Sequence, residues 1–426
     1  MQVNSGDDPV ILVSNDTHVG PRLVEDLRPY CPAKYLEDYD AYVASIEANP
    51  IVDFIANHPN RKTAGHYDQK TRLADYDYDG VAAGVIYHGS QNLQPLPFLP
   101  INPGDAPFSG ELVAAGQQMY NRWLADFVSE APLRHVGLAQ LPMWDPEAAL
   151  AEAVRTHDAG LKGVNFPTMR EGIAPYVEEV WEDFWSMCEE RKIPLVTHVP
   201  IGSGAGTKTT FKGKGPEMAM VHAMETGGWM SRRAIWWMIF GGVFQRHPDL
   251  KLVITEAPGN WWPYLAAELD SIYDMTATRA RLMLPDFYEK DLPRHPSEYM
   301  VSNVFFGATF TSPAEAKSAI DDGFYTQLMW GTDYPHLEGT FVNPQGTDMP
   351  SVTKLSLRNG FSELPADKVR MMVGLNAIKL YGLDEDALAK IAREIGAPTA
   401  NDLATPIDFI PEGAANFAFR SGEGWA

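Results

Sequence analysis

Residues 11–21 read ILVSNDTHVGP, a short apolar run followed at once by Asp16, Thr17 and His18. The run is rich in branched apolar residues, which is typical of a strand buried on both faces. In an extended segment, side chains two positions apart point the same way, so Asp16 and His18 would face a common space. The stretch therefore predicts a buried strand ending in two side chains that can bind a metal ion.

The same arrangement returns three times along the chain. The run PLVT is followed by His198, KLVIT by Glu256, and LMWGT by Asp333, with His336 three positions later. A single Asp or His at such a place is more often a helix cap, a turn residue or a core residue. Four predicted strands that share the pattern favour one common site over four separate explanations.

Eight apolar runs alternate with longer segments of helical periodicity between about residues 10 and 382. The predicted strands are 10–14, 81–87, 136–141, 161–166, 194–198, 251–255, 304–307 and 328–330, and the helix candidates include 112–129, 146–158, 177–191 and 262–277. Strands that alternate with helices predict a parallel α/β sheet. Closure into a (β/α)8 TIM barrel avoids exposed edges, with a doubly wound sheet as the alternative. In a barrel the carboxyl ends of all strands meet at one face, where active sites lie.

Three segments exceed the connections that a compact barrel needs: 20–72 after strand one, 200–217 after strand five and 280–300 before strand seven. Long connections are commonly lids, binding loops or oligomer contacts. We expect one barrel domain over residues 1–382, with a lid-like insertion at about 20–72. Residues 383–426 would form a helix at 385–395 and an arm that packs on the barrel or on a neighbouring subunit.

Composition excludes several classes of protein. With 34 basic and 56 acidic residues and a net charge of −22, the chain has no basic footprint for nucleic acid. Only two cysteines occur, Cys31 and Cys188, and they do not form a close-spaced pair, which excludes a disulfide scaffold and a Cys-rich zinc module. The first residues do not resemble a signal peptide, and no apolar run approaches the ~20 residues that span a bilayer. We expect a soluble cytoplasmic enzyme, and the tail and Trp-rich segments favour a homodimer.

The strings NDTHVGP, PLVTHVP, VITEAPGNWWPYLAAELD, LMWGTDYPH and VGLNAIKLYGLD resemble the amidohydrolase-related branch of the amidohydrolase superfamily. The resemblance runs from about residue 10 to about residue 385. It implies a metal-dependent TIM barrel of the aminocarboxymuconate-semialdehyde decarboxylase-like kind, a group of hydrolases and non-oxidative decarboxylases. It further implies that Asp16 and His18 are the strand-one ligands, His198 the strand-five ligand and Asp333 the strand-eight ligand. Asp333 would also accept a proton from a metal-bound water.

One departure from the family concerns strand six, where many members carry His and this chain carries Glu256. The missing His argues against the usual decarboxylase mechanism. Glu256 and His336 add two ligand-type groups to the four implied above, so the site could hold one or two ions of Zn, Mn or Fe. The sequence leaves open whether the site binds one metal ion or two. A carbamylated Lys162 is disfavoured, because this lysine precedes most of its strand and would lie away from the site.

We expect hydrolysis of a small organic acid, ester, amide or ring compound by a metal-activated water. Asp333, His336 and Glu256 would be the catalytic residues. Three alternatives use the same pocket: a dinuclear non-haem iron or Mn/Fe oxygenase, a non-oxidative decarboxylase, and a non-catalytic metal-binding subunit.

Four further residues are candidates for substrate binding. His88 follows strand two, and His66 lies in the segment that leads to that strand. Lys208 and Lys212 lie in the loop after strand five, at the predicted active face of a strongly acidic protein. They would bind an anionic substrate, although a solvated loop explains them equally well.

Overall fold

The computed structural model describes residues 6–48, 56–99, 108–167, 172–198, 228–257, 259–283, 292–407, 409–410 and 419. Eight parallel strands form one sheet in which each strand pairs with the next along the chain. They are β1 (Leu12–Val19), β2 (Val81–His88), β3 (His135–Gln140), β4 (Gly163–Asn165), β5 (Leu195–His198), β6 (Leu252–Thr255), β7 (Val304–Thr309) and β8 (Leu328–Gly331). The predicted (β/α)8 architecture is confirmed.

The sheet closes between its first and last strands just beyond the end of β8. The amide of Asp333 donates to the carbonyl of Asp16 at 2.9 Å, and the amide of His18 donates to the carbonyl of Tyr334. Thr17 and Tyr334 form an isolated parallel bridge at the same level. Barrel closure therefore brings the polar ends of β1 and β8 side by side.

Helices lie between the strands and after them. Before β5 they are α1 (Leu36–Ala48), α2 (Gln69–Asp79), α3 (Gly110–Ser129), α4 (Pro146–Asp158) and α5 (Glu182–Glu190). After β5 they are α6 (Arg233–Phe240), α7 (Val243–Arg246), α8 (Trp261–Met283), α9 (Pro296–Asn303), α10 (Pro313–Asp321), α11 (Val352–Phe361), α12 (Ala366–Arg370), α13 (Asn376–Tyr381), α14 (Glu385–Glu394) and α15 (Ala400–Ala404). Side-chain caps begin several of them; Asp145, for example, accepts from the amide of Ala148 at the start of α4.

Two apolar clusters account for the burial pattern of the strands. The larger one packs the outward faces of the strands against the helices, including the aromatic group of Phe166, Trp181 and Trp185. The second joins strand residues such as Val13 and Val196 with residues of α13 and α14. Because both faces of each strand are covered, the strand sequences are nearly continuous apolar runs and do not alternate between apolar and polar residues.

The structure refines the predicted boundaries. β1 starts two residues later than predicted and continues to Val19, so Asp16 and His18 lie within the strand rather than after it. The segment 20–72 contains α1 and the start of α2, the loop at 200–217 lies outside the described residues, and α14 matches the helix predicted at 385–395. The division at residue 382 and the lid role stay predictions.

Among the helices in the described part of the chain, none has the length and apolar composition needed to cross a bilayer. The homodimer and the cytoplasmic location stay predictions.

Candidate metal centre

Asp16, His18, His198 and Asp333 lie together at the carboxyl ends of β1, β5 and β8. The Nε2 atom of His18 lies 3.2 Å from Asp16 Oδ1 and 3.1 Å from Asp333 Oδ1. The Nε2 atom of His198 lies 3.5 Å from Asp16 Oδ1. The ligand atoms of Asp16, His18 and His198 all lie within 4.8 Å of one another. Two imidazoles and two carboxylates are a donor set that suits Zn²⁺, Mn²⁺ or Fe²⁺.

The hydrogen bonds around Asp16 and His18 leave one atom of each directed into the shared space. Thr309 donates to Asp16 Oδ2 at 2.6 Å, while Asp16 Oδ1 is buried and accepts no hydrogen bond from the described residues. His18 Nδ1 lies 3.1 Å from the carbonyl of His88, which favours the tautomer that leaves Nε2 with a free lone pair. Buried polar atoms without hydrogen bonds are costly, and a bound cation would satisfy them. The residues present therefore fit a metal ion.

Glu256 and His336 extend the site toward β6 and the segment after β8. Glu256 Oε2 lies 3.7 Å from His198 Nε2, and His336 Nδ1 lies 2.8 Å from Asp333 Oδ1. The His336 ring stacks on His18 with 3.9 Å between centroids, and its Nε2 lies 2.7 Å from the carbonyl of Gly89. Six predicted ligand-type residues are thus brought together.

Two of these residues have an unusual backbone conformation. Glu256 has φ of 52° and Asp333 has φ of 55°, in the left-handed region that residues other than glycine rarely adopt. Such conformations cost free energy and cluster at functional sites. Glu256 directly follows the last residue of β6, and Asp333 is the second residue after β8. At both positions the turn directs the carboxylate into the barrel mouth.

Close packing of buried carboxylates and imidazoles shifts the pKa of several groups. Burial and the negative charges of Asp333 and Asp16 raise the pKa of Glu256 to about 8, although His198 opposes this. Burial lowers the pKa of His198, but Asp16 and Glu256 outweigh it and raise the value to about 9. Burial opposes ionisation of Asp16 as well, yet its contacts with His18 and His198 hold its pKa well below the usual range. The negative charge of the carboxylates favours positive charge at this site and raises the pKa of His336 to about 10 despite its burial.

The predicted substrate-binding residues have different surroundings. His88 is the last residue of β2; its ring packs edge-on against Tyr120, and Nε2 is buried without a hydrogen bond from the described residues. Burial lowers the pKa of His88 to about 4. His66 is buried, with Nε2 3.0 Å from the carbonyl of Asn60 and Nδ1 2.9 Å from Ser90 Oγ. Contact of either histidine with substrate stays a prediction.

The predicted lysines, Lys208 and Lys212, lie outside the described residues. Lys162 directly precedes β4, at the opposite end of the strand from the site.

The structure places two further residues at or beside the centre, of which the sequence did not predict Glu338. Glu338 lies with Glu256 and Asp333, and the ligand atoms of these three residues are within 4.8 Å of one another. Arg72 of α2 is fully buried and donates to the carbonyl of His18 at 2.7 Å and to Thr17 Oγ1 at 2.6 Å. Glu338 lies only five positions after Asp333, and this closeness in sequence is the one feature from which its place near the site could have been inferred. From its place in the segment with His66, the sequence suggests only that Arg72 could fold over the barrel mouth; it does not indicate that Arg72 is buried against β1.

Several solved structures share this architecture. 5-Carboxyvanillate decarboxylase from Novosphingobium aromaticivorans, with bound manganese, has a TM-score of 0.61 and 17% identity, covering 89% of this chain and 99% of that chain. 5-Carboxyvanillate decarboxylase from Sphingomonas paucimobilis has a TM-score of 0.57 and 19% identity, covering 88% and 100%. At such low identity these similarities show the fold alone.

Curated relatives are similar in sequence over part of the chain. 2-Amino-3-carboxymuconate-6-semialdehyde decarboxylase of Dictyostelium discoideum is 27% identical over 283 residues, which are 63% of this chain and 66% of that protein, just under two thirds of its length. Gamma-resorcylate decarboxylase of Rhizobium sp. is 23% identical over 283 residues, which are 63% of this chain and 76% of that protein.

The family model described as Amidohydrolase matches residues 67–383, which make up most of the chain. This range includes His198, Glu256, Asp333 and His336, while Asp16 and His18 precede it. The match agrees with the eight-stranded parallel barrel and with the side chains gathered at its carboxyl face. The chain belongs to the amidohydrolase family.

Proposed function

We propose that this chain is a metal-dependent decarboxylase that removes carbon dioxide from a small anionic organic acid without using dioxygen. Asp16, His18, His198 and Asp333 would hold the metal ion. The observation that carries the proposal is the closeness of three buried donor atoms: His18 Nε2 lies 3.2 Å from Asp16 Oδ1 and 3.1 Å from Asp333 Oδ1, and neither His18 Nε2 nor Asp16 Oδ1 has a hydrogen bond from the described residues. The curated relatives named above are decarboxylases. They support decarboxylation over the hydrolysis that the sequence alone favoured.

The reaction exchanges a carboxylate for a proton on the same carbon atom. The bond to the carboxyl carbon breaks, carbon dioxide leaves, and a proton must be delivered to the carbon that remains. When bound, the metal ion supplies positive charge that binds and orients the oxygen atoms of the substrate. Asp333 Oδ1 and His336 Nδ1, 2.8 Å apart, can hold a proton between them. We assign proton delivery to this pair.

The residues around the pair would keep it in place. The carbonyl of Gly89 is 2.7 Å from His336 Nε2 and sets the orientation of the ring. The amide of Asp333 donates to the carbonyl of Asp16 and fixes the turn that carries the carboxylate. His336 is buried, which limits the access of bulk water to the proton.

Hydrolysis is the second candidate, and Glu256 is the observation that favours it. Glu256 occupies the strand-six position at which the family resemblance implies His in many members, and it lies 3.7 Å from His198 Nε2. A carboxylate there could orient a water molecule beside the metal ion. Oxygenase chemistry uses the same residues but requires dioxygen and a reductant.

The test is an anaerobic assay of carbon dioxide release. The full chain, loaded with Mn²⁺, is incubated with hydroxybenzoic acids and unsaturated amino-acid-derived acids, and with the methyl esters of the same acids. We expect carbon dioxide from at least one free acid, and release at least about 100-fold slower from the Asp333→Asn variant. Ester cleavage without carbon dioxide release would establish hydrolysis instead. Turnover that appears only with dioxygen and a reductant would also overturn the proposal.

A further inference from the structure

The last residues of β3 and β4 carry side-chain amides that face the barrel mouth. Gln140 lies two positions after Leu138, which belongs to the second apolar cluster, on the inner face of the sheet, whereas the intervening Ala139 packs on the outer face. Asn165 follows Val164, which also packs on the outer face. Because side chains alternate along a strand, Gln140 and Asn165 both point inward. The two residues are also partners in the parallel register of β3 and β4.

Asn165 and the proposed metal ligand His198 open to the same space. Each is the only residue of its strand that is partly exposed. Asn165 pairs with Val196 of β5, and His198 lies two residues further along that strand, on the same face. With about 4.8 Å between strands and about 3.3 Å per residue, the Cα atoms of Asn165 and His198 are roughly 8 Å apart. A small molecule bound beside His198 can therefore also reach Asn165.

The two amides are held in place and keep part of their hydrogen-bonding capacity. Asn165 Nδ2 donates to Gln140 Oε1 at 3.0 Å. Asn121 of α3 donates to the main-chain carbonyl of Gln140 at 2.8 Å and accepts from its main-chain amide at 2.8 Å, which fixes the end of β3. Within the part of the chain that the structure describes, neither side-chain amide makes another hydrogen bond. One amino group, on Gln140, and one carbonyl oxygen, on Asn165, are left for a ligand, and exchanging oxygen and nitrogen in both amides would leave the same two kinds of group.

An amino group beside a carbonyl oxygen selects the kind of group that can bind there. A carboxylate only accepts hydrogen bonds and would bring its negative charge against the oxygen of Asn165. An ammonium group only donates and would face the amino group of Gln140. A carboxamide or a lactam offers a carbonyl oxygen to Gln140 and an N–H group to Asn165, so both are satisfied. The pair is therefore complementary to a neutral amide.

We propose that Gln140 and Asn165 bind a neutral amide group of the substrate, whose carboxylate lies at the metal centre. The substrate is then a monocarboxylic acid that carries a carboxamide or a lactam ring. This inference rests on the proposed function, which brings an anionic acid to the metal centre. A second carboxylate on the substrate is disfavoured at the amide pair, because it cannot donate to Asn165.

Calorimetric binding of matched benzoic acids to the Mn²⁺-loaded full chain tests the preference for an amide. The probes are 3- and 4-carbamoylbenzoic acid, their acetyl analogues, which lack the N–H group, and isophthalic and terephthalic acid, which carry a second carboxylate. Benzoic acid is the reference. We expect at least one carbamoyl acid to bind about tenfold more tightly than its acetyl analogue, because the analogue leaves the oxygen of Asn165 without a donor. Both dicarboxylic acids should bind more weakly than that carbamoyl acid.

Two variants assign the preference to the amide pair. Asn165→Leu replaces the acceptor by an apolar group of similar size, so the advantage of the carbamoyl acid over the acetyl acid should disappear. Gln140→Met removes the donor and should weaken both of these acids relative to benzoic acid. Gln345→Met, at an exposed position, should bind all of the acids as the wild type does. A change in packing alone would lower the affinity of the carbamoyl and acetyl acids equally and leave their ratio unchanged.

The outcomes separate the amide subsite from the proposed function. If benzoic acid binds but the carbamoyl and acetyl acids bind equally well, the subsite is overturned and the proposed function stands. A carbamoyl advantage that persists in folded Asn165→Leu would also overturn the subsite, as would tighter binding of a dicarboxylic acid than of either carbamoyl acid. If the folded, Mn²⁺-loaded wild type binds none of the acids, the proposed function is contradicted and the subsite falls with it.

Discussion

The guanidinium of Arg72 donates to the main-chain carbonyl of His18 at 2.7 Å, so α2 directly holds β1, the strand that carries Asp16 and His18. Arg72 also donates to Thr17 Oγ1 at 2.6 Å, and its guanidinium lies over the ring of Tyr334, 4.8 Å from the centroid. Tyr334 is the neighbour of Asp333 and donates to Asp75 of α2 at 2.7 Å. One helix thus positions β1 and the segment after β8, two of the three segments that would supply ligands.

Replacing Arg72 by Lys should weaken metal binding. Lysine keeps the charge but cannot make the forked contacts with Thr17 and His18. Loss of residues that orient ligands typically costs 10–100-fold in metal affinity, and we expect a decrease of about that size. Competition with a fluorescent chelator measures it, with Arg393→Lys on the exposed face of α14 as the control. Unchanged affinity in a folded Arg72→Lys protein would show that α2 does not position the ligands.

Replacing Asp333 by Asn should abolish most of the turnover. The amide preserves size but can neither share a proton with His336 nor supply the same charge to the metal ion. Removal of a positioned proton-transfer group typically costs 10²–10⁴-fold, so we expect kcat to fall by at least about 100-fold. Rates of carbon dioxide release from the wild type and the variant at saturating Mn²⁺ provide the comparison. A variant that keeps more than a tenth of wild-type activity would remove Asp333 from the mechanism.

Asp79 should make the stability of the fold depend on pH. It is buried at the end of α2, where it accepts from Ser351 Oγ at 2.7 Å and Thr353 Oγ1 at 2.5 Å. Burial raises the pKa of Asp79 to about 7, despite these hydrogen bonds. The folded chain therefore keeps this proton to higher pH than the unfolded chain, whose Asp pKa is about 3.9. The associated stability is complete below about pH 4 and is lost as the pH rises through about 7.

Thermal denaturation from pH 4 to pH 8 measures this effect with the Asp79→Asn variant. The variant cannot ionise, so its Tm relative to the wild type should rise across this range. The associated change in the free energy of unfolding is at most about 1.4 kcal/mol for each unit of pKa shift. Asp367→Asn, where the side chain is 73% exposed, is the control. Parallel pH profiles of the Asp79→Asn variant and the wild type would contradict the assignment.

The two cysteines should differ in reactivity. Cys188 on α5 is fully buried, and burial raises the pKa of its thiol well above the usual value. Cys31 is half-buried, and its pKa is raised as well, chiefly by burial. Because the thiolate is the reactive form, we expect Ellman's reagent to label Cys31 slowly and Cys188 only after denaturation. Rapid labelling of both thiols in the native protein would show that the packing around α5 opens readily.

The order of the strands could be predicted from sequence because each apolar run is buried on both faces and is separated from the next by a helical segment. The ligand-bearing ends could be predicted for the same reason, since parallel strands in a barrel place their carboxyl ends at one face. Asp16, His18, His198, Glu256, Asp333 and His336 were found in this way.

Glu338 and Arg72 could not be found by that reasoning. Glu338 lies beyond the end of β8, and its approach to Glu256 depends on the path of the turn that starts at Asp333 with a positive φ. Arg72 lies on a helix in the long segment after β1, and a single basic residue there is usually exposed to solvent. Its burial follows from tertiary contacts with Thr17, His18 and Tyr334, which no local pattern specifies.

We propose that one metal ion is bound jointly by residues of β1, β5 and the segment after β8. The most direct measurement is an anomalous difference map from a crystal of the Mn²⁺-loaded chain, recorded at the manganese absorption edge. We predict a peak about 2.0–2.3 Å from donor atoms of Asp16, His18, His198 and Asp333. A well-ordered crystal with no anomalous peak among these four side chains would contradict the account.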